Sequence, residues 1–224
     1  DENNINLDKL GASSWQKRKA EAKKKIKDAA KKLIKIASLR LQSKSLPINI
    51  HNHEYDKFCS TFPYVETDDQ LNAINDVIKD FESDTPSDRL IVGDVAFGKT
   101  EVIIRALFLA AKSNIQSIVF VPTTLLSRQH YNNFIKRFSL FNITIAEVSR
   151  LVTVKEKIQI FDDCVNGKID ILIGTHALLN DKLSFKKLGL IIYDEEQKLG
   201  TLQKEKLKEI APKAHVISLS ATPI

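Results

Sequence analysis

Methionine is absent from the whole sequence, position 1 included, so an internal piece of a longer chain is expected. Cysteine is nearly absent: Cys59 and Cys164 are the only two, far apart and in no metal-ligand spacing. Each reads as a buried or incidental thiol, which fits an intracellular, cytoplasmic setting where thiols stay reduced. No apolar run approaches the roughly 20 residues that span a bilayer. No cationic-then-apolar leader opens the sequence, so neither membrane insertion nor secretion is expected. Repeats and low-complexity tracts are missing too, apart from one lysine-rich stretch. With 224 residues, the chain can hold one sizeable domain with an appendage, or two small ones.

The charge that is present falls unevenly. Of the net +6, residues 1–46 carry 13 Lys and Arg against 5 Asp and Glu, a surplus of +8 that leaves −2 for the rest. Ser13 with Gln16 three residues on makes a capping-box pattern, and from there to about Gln42 the sequence is helical in character. Trp15, Ala22, Ile26, Ala29, Leu33 and Ile36 recur at spacings that put them on one apolar stripe. Lysines crowd the other faces, as in "EAKKKIKDAAKK". Two readings stay open: a solvated helix packing its stripe on its own protein, or one that also touches nucleic-acid phosphates or an acidic partner. "QSKSLPINIHNHEYDKF" then reads as a linker, with His51 and His53 exposed rather than metal-binding. The expected division is a basic linker helix over residues 1–46 and a globular domain over 47–224.

From Thr67 onward, short β-branched runs alternate with helical segments. The runs are "RLIVG", "SIVFVP", "ITIAEVS", "DILIGT", "LGLIIYDEE" and "HVISLSAT". Most are apolar almost throughout, as strands covered on both faces are. "KTEVIIRALFLAAK" and "LLSRQHYNNFIKRF" have helical length and periodicity. The alternation predicts an α/β fold, a mainly parallel sheet flanked by helices.

"GDVAFGKT", Gly93 to Thr100, satisfies G-x-x-x-x-G-K-[ST] in full, after a strand and before a helix. Glycines permit a tight turn that aims backbone N–H groups inward, and the helix N-terminus adds partial positive charge. Lys99 would reach the β- and γ-phosphate oxygens of a nucleotide, and the Thr100 hydroxyl would take a Mg²⁺ position. "IIYDEEQ" supplies the complement. Asp194, just past an apolar strand, can hold the metal, and Glu195 can orient and polarise an attacking water. A kinase needs no such second carboxylate, and no Asn-Lys-x-Asp guanine reader is present. The implied cofactors are ATP and Mg²⁺, with Lys99, Asp194 and Glu195 as the catalytic candidates.

"DEEQ" together with "SAT" at Ser220, Ala221 and Thr222 resembles motifs II and III of superfamily-2 helicases and translocases. "FPYVETDDQLNAI", "VFVPTTLLSRQHYNNFIKRF", "DILIGTHALL", "LGLIIYDEEQKLG" and "LSATPI" extend the likeness to bacterial transcription-repair coupling factors and, next in pattern, to RecG-like branch-migrating helicases. The basic stretch "LDKLGASSWQKRKAEAKKKIKDAAKKLIKIASLR" resembles the coupling factors' segment between polymerase-binding module and motor, and so favours them over the RecG-like group. The resemblance implies a RecA-like P-loop lobe. Gln70 would read the adenine edge, with Phe62 or Tyr64 stacking on the ring. Gly93, Asp94, Val95, Ala96, Phe97, Gly98, Lys99, Thr100 and Glu101 would surround the phosphates. Pro122, Thr123 and Thr124 (motif Ia) and Gly174, Thr175 and His176 (motif Ib) would hold a DNA backbone without reading its sequence. Arg128 and Arg150 would add phosphate contacts or form surface salt bridges. Ser220, Ala221 and Thr222 would couple nucleotide state to the DNA side.

Two departures stand out. Ala96 replaces the family's usual glycine, inside the variable part of the loop, and little effect is expected. Lys198 and Leu199 replace a common Arg-Phe pair, and neither is expected to touch a catalytic atom. Superfamily-2 motors close a second lobe over the nucleotide, and its motifs do not occur before Ile224. These residues alone are therefore expected to bind nucleotide weakly and hydrolyse it negligibly. The intact bacterial protein is expected to translocate on double-stranded DNA, displace stalled RNA polymerase and recruit nucleotide-excision repair proteins. The alternatives are a RecG-like helicase lobe and a non-catalytic module whose nucleotide site only switches its shape.

Overall fold

The computed structural model describes residues 13–50 and 53–221. The Ser13 side chain, His51 and Thr222, each given a role above, lie outside the described residues. The chain forms two compact units that divide between Leu39 and Arg40. Most of the first unit is one helix, α1, Ser13–Gln42, which runs past the boundary. Ala22 and Ile26 on its expected stripe are exposed, Ile26 by 71%.

In the second unit the β-branched runs become six strands: β1 Asp88–Val92, β2 Gln116–Phe120, β3 Ile145–Val148, β4 Ile171–Gly174, β5 Leu188–Tyr193 and β6 His215–Ser220. They form one sheet in the order β1-β6-β5-β2-β4-β3, and every neighbouring pair is parallel. Side chains alternate between the faces, as strand geometry requires. Val119, Ile173, Ile192 and Ile217 join one core, while Ile118, Phe120, Leu172, Ile191 and Val216 join the other.

The first core is covered by α3 (Asp68–Phe81), α4 (Lys99–Lys112) and α5 (Thr124–Phe138); the second by α6 (Val154–Val165) and α7 (Thr201–Ile210). Helix α4 is buried on all sides from Glu101 to Ala111, as a helix without a polar stripe must be. Thr67 and Gln70 close a reciprocal capping box at the start of α3, and Thr153 and Glu156 do the same for α6. No helix among the described residues is long and apolar enough to cross a membrane.

The segment read as a linker is more than that. It contains a short helix, α2, Tyr55–Cys59. Phe58 is fully buried, stacked on Phe108 at 4.1 Å between ring centroids and edge-on to Phe141 at 5.3 Å. Ile48 is buried as well. One large aromatic among polar neighbours carries no periodicity, so its core role is invisible until the partners are known. His53 is exposed.

Two buried polar groups brace the edges. Arg40 donates to the carbonyls of Ala214 and Ser87, both at 2.9 Å, just before β6 and β1. Glu101 accepts from Arg105 Nε and Arg137 Nη2, each at 3.0 Å, and Arg105 also pairs with Glu66. Burial alone would lower the Arg105 pKa, but its bonds to Glu66 and Glu101 outweigh this and raise it.

Candidate nucleotide and nucleic-acid site

Parallel strands bring all their carboxyl ends to one edge, where open α/β sheets bind ligands. The Gly93–Gly98 turn follows β1, Ala221 follows β6, Asp194 follows β5, Pro122 follows β2 shortly after Phe120, and Thr175 follows β4. Only β6 separates β1 from β5. At roughly 4.8 Å per strand, the phosphate-loop strand and the acidic-motif strand are about 10 Å apart. Gly93 N–H donates to Ser220 O at 3.2 Å, tying the start of the loop to the end of β6.

The loop takes the shape its glycines suggest. Gly98 has φ +72° and leads into α4. Ala96 also has a positive φ, +70°, a conformation that costs an L-residue about 1–2 kcal/mol. The expectation of little effect at this position is therefore corrected: the backbone there favours glycine. Lys99 Nζ folds back onto its own loop, donating to the carbonyls of Gly93 and, at 2.7 Å, Asp94. Among the described residues, the N–H groups of Val95, Ala96 and Gly98 have no hydrogen-bond partner. An ammonium, a row of free N–H donors and a helix start form a donor set that suits a polyphosphate. Thr100 lies on the first turn of α4, beside that set.

Beside the loop is a cleft of about 810 Å³, lined by Phe62, Tyr64, Gln70, Ala96, Phe97, Gly98, Thr100 and Glu101 among others. Phe62 and Tyr64 meet edge to face, 5.5 Å apart. Gln70 has both ends of its amide engaged: Oε1 accepts from Thr67 N–H at 3.0 Å and Nε2 donates to Phe97 O at 3.1 Å. It ties α3 to the phosphate loop. Glu101 lines the cleft, yet its carboxylate is held by Arg105 and Arg137. Asn133 and Arg137 from α5 also reach this cleft; nothing in their local sequence signals it.

At the acidic motif, Asp194 N–H donates to Phe120 O at 2.9 Å, docking the turn over the end of β2. Glu195 sits in the left-handed region, φ +54°, a strained position for a residue with a side chain. Its carboxylate pairs with Lys198. The expectation that Lys198 touches no catalytic candidate is thus corrected. Leu199 is buried in the second core. Ser220 Oγ donates to Gln197 Oε1 at 3.2 Å. Sequence reasoning missed His130, whose Nε2 lies 2.7 Å from Asp194 Oδ2; 64 residues separate the pair.

A second cleft of about 410 Å³ gathers Pro122, Thr123, Thr124, Arg150, Thr175 and His176, with Lys157 of α6 as a member the sequence did not single out. Thr123 caps α5 by accepting from Leu126 N–H. Gly174 serves packing: a Cβ there would come within 2.5 Å of Val148 O. Arg128 pairs with buried Glu147, Nε to Oε2 at 3.1 Å, and does not line this cleft. No group of three or more His, Cys, Asp or Glu suited to a metal occurs among the described residues.

The profile of the DEAD/DEAH box helicase family matches residues 67–224. The chain is similar to the transcription-repair-coupling factor of Rickettsia typhi, at 48% identity over 99% of this chain and 20% of that protein. It is similar at 43% to that of Escherichia coli, over 100% of this chain and 19% of that one. It thus spans about a fifth of the length of these relatives. Among solved structures it resembles RecG bound to a three-way DNA junction, with TM-score 0.73 and 34% identity over 85% of this chain and 25% of RecG.

Proposed function

The chain belongs to the DEAD/DEAH box helicase family, and on that premise we propose that residues 47–224 are the first ATP-binding lobe of a double-stranded DNA translocase of the transcription-repair-coupling kind. The observation that carries the reading is the gathering of phosphate loop, acidic pair and Ser220 on three adjacent strands of one carboxyl edge. Lys99 would exchange the carbonyls of Gly93 and Asp94 for phosphate oxygens. Thr100 and Asp194 are the residues that would hold Mg²⁺, which when bound offsets the charge of the phosphates. Glu195 would orient the attacking water, with Lys198 holding its carboxylate until then. The cleft of Thr123, Thr124, Arg150, Lys157, Thr175 and His176 suits a DNA backbone: hydroxyls and cations there can position a duplex without reading bases.

In the intact protein the cycle would drive displacement of stalled RNA polymerase and recruitment of repair proteins, a reading in keeping with relatives named for coupling transcription to repair. The lobe's own cleft arginine, Arg137, is bound to Glu101 and Phe58 O. A transition-state arginine would therefore come from a second lobe, and residues 1–224 alone should be slower by about 10³–10⁵-fold.

The test is DNA-stimulated ATP hydrolysis by the intact protein and its Lys99→Ala and Glu195→Gln variants. Both should lose turnover, with Glu195→Gln still binding ATP; undiminished turnover in both would refute the reading. The likeness to RecG supports a second reading, a branch-migrating helicase lobe. Binding of RNA polymerase by the intact protein favours the first, and its absence the second.

A further inference from the structure

Both oxygens of the Asp194 carboxylate are held, each from a different direction. Oδ1 accepts from the Glu195 backbone N–H at 3.1 Å, a bond within the acidic turn itself. Oδ2 lies 2.7 Å from His130 Nε2. A carboxylate only accepts, so Nε2 carries the proton in this pair. His130 is 8% exposed, and its ring packs against Phe134 one turn further along α5. Two such bonds fix the plane of the carboxylate and leave about one lone-pair direction on each oxygen for another partner.

The helix that carries His130 begins in the second cleft. Thr123 is the N-cap of α5 and Thr124 its first residue, and both line that cleft. His130 follows six residues after Thr124, under two turns along a continuous helix, so about 9 Å of rigid backbone connects them. A load on Thr123 and Thr124 that shifts α5 must move the His130 ring, and the ring is bonded to Asp194.

We propose that His130 is a positioning residue that transmits DNA engagement at Thr123 and Thr124 to the carboxylate of Asp194, so that DNA stimulation of ATP hydrolysis runs through the His130–Asp194 bond. This rests on the function proposed above. Partners that orient ligating carboxylates are worth about 10–100-fold when removed, and that sets the expected size of the effect.

The experiment uses the intact protein with His130→Ala and His130→Gln. It measures kcat and KM for ATP with and without duplex DNA, the Mg²⁺ concentration for half-maximal rate, DNA affinity and thermal midpoint. In His130→Ala, DNA-stimulated kcat should fall at least tenfold and the Mg²⁺ requirement should rise about tenfold. KM for ATP, DNA affinity and thermal midpoint should stay close to those of the parent. His130→Gln, which keeps an N–H donor at similar reach, should recover much of the loss. An unchanged stimulation and Mg²⁺ requirement in His130→Ala would overturn the proposal. So would a loss explained by weaker DNA binding or unfolding, or one that Gln fails to rescue. Failure of the underlying functional reading shows differently: the unsubstituted protein would then have no DNA-stimulated turnover to lose.

Discussion

At the scale of single residues, Ala96 shows how backbone conformation exceeds what a motif pattern conveys. The pattern treats the position as variable, but its φ of +70° makes it a left-handed one. Ala96→Gly should raise stability by about 0.5–1 kcal/mol, the relieved strain less glycine's entropic cost. A urea midpoint that stays level or falls would show that the loop is unstrained in solution. His215 gives a pH-dependent counterpart. Its Nδ1 lies 2.9 Å from Ser87 Oγ, and burial lowers its pKa to about 4 from 6.5. Because the unfolded chain takes the proton first, stability should fall as pH drops from 6.5 toward 4, by roughly 3 kcal/mol. His215→Gln should flatten thermal midpoint against pH across that window. An equally steep curve in the variant would assign the slope to another group. The contacts of His130 with Asp194 and of Lys198 with Glu195 mark the limit of residue-level reading: the sequence names the carboxylates but not the side chains that hold them.

At the scale of elements, legibility followed burial. Most of the strands could be read because they are apolar almost throughout, with β2, β4, β5 and β6 buried at every position, and α4 because all its faces are covered. What stayed hidden depends on partners distant in sequence. Phe58 stands among polar neighbours, yet its ring joins Phe108, Phe138 and Phe141 in the core. Truncating it to alanine should cost about 3–5 kcal/mol. A loss under 1 kcal/mol in denaturant titration would return the segment to a mere linker. Glu101 sits beside the phosphate-loop lysine and threonine and reads as part of the nucleotide site, but it neutralises two arginines, buried Arg105 and half-buried Arg137. Glu101→Gln leaves them underpaired and should destabilise the domain by about 3–5 kcal/mol. Weaker nucleotide binding at unchanged stability would instead make Glu101 a direct ligand contact.

At the scale of the molecule, the carboxyl edge of the sheet and the lysine-rich helix pose separate questions. The sequence placed both, because charge asymmetry and periodicity are visible without a fold, whereas the helix's partner is not. If its lysines meet DNA phosphates, replacing Lys23, Lys24 and Lys25 with glutamine in the intact protein should flatten the dependence of DNA affinity on salt. An unchanged slope would mean that the helix serves protein contacts alone. The central claim concerns the carboxyl edge, where Lys99 and Asp194 flank β6 and a triphosphate is expected to seat between them. Its most direct test is titration of a labelled ATP analogue, with and without Mg²⁺, against residues 1–224 and their Lys99→Ala form. The account predicts saturable binding at one site, strengthened by Mg²⁺ and weakened at least about tenfold by Lys99→Ala, the loss of a charge-assisted hydrogen bond. Equal affinity for both proteins, indifferent to Mg²⁺, would contradict it.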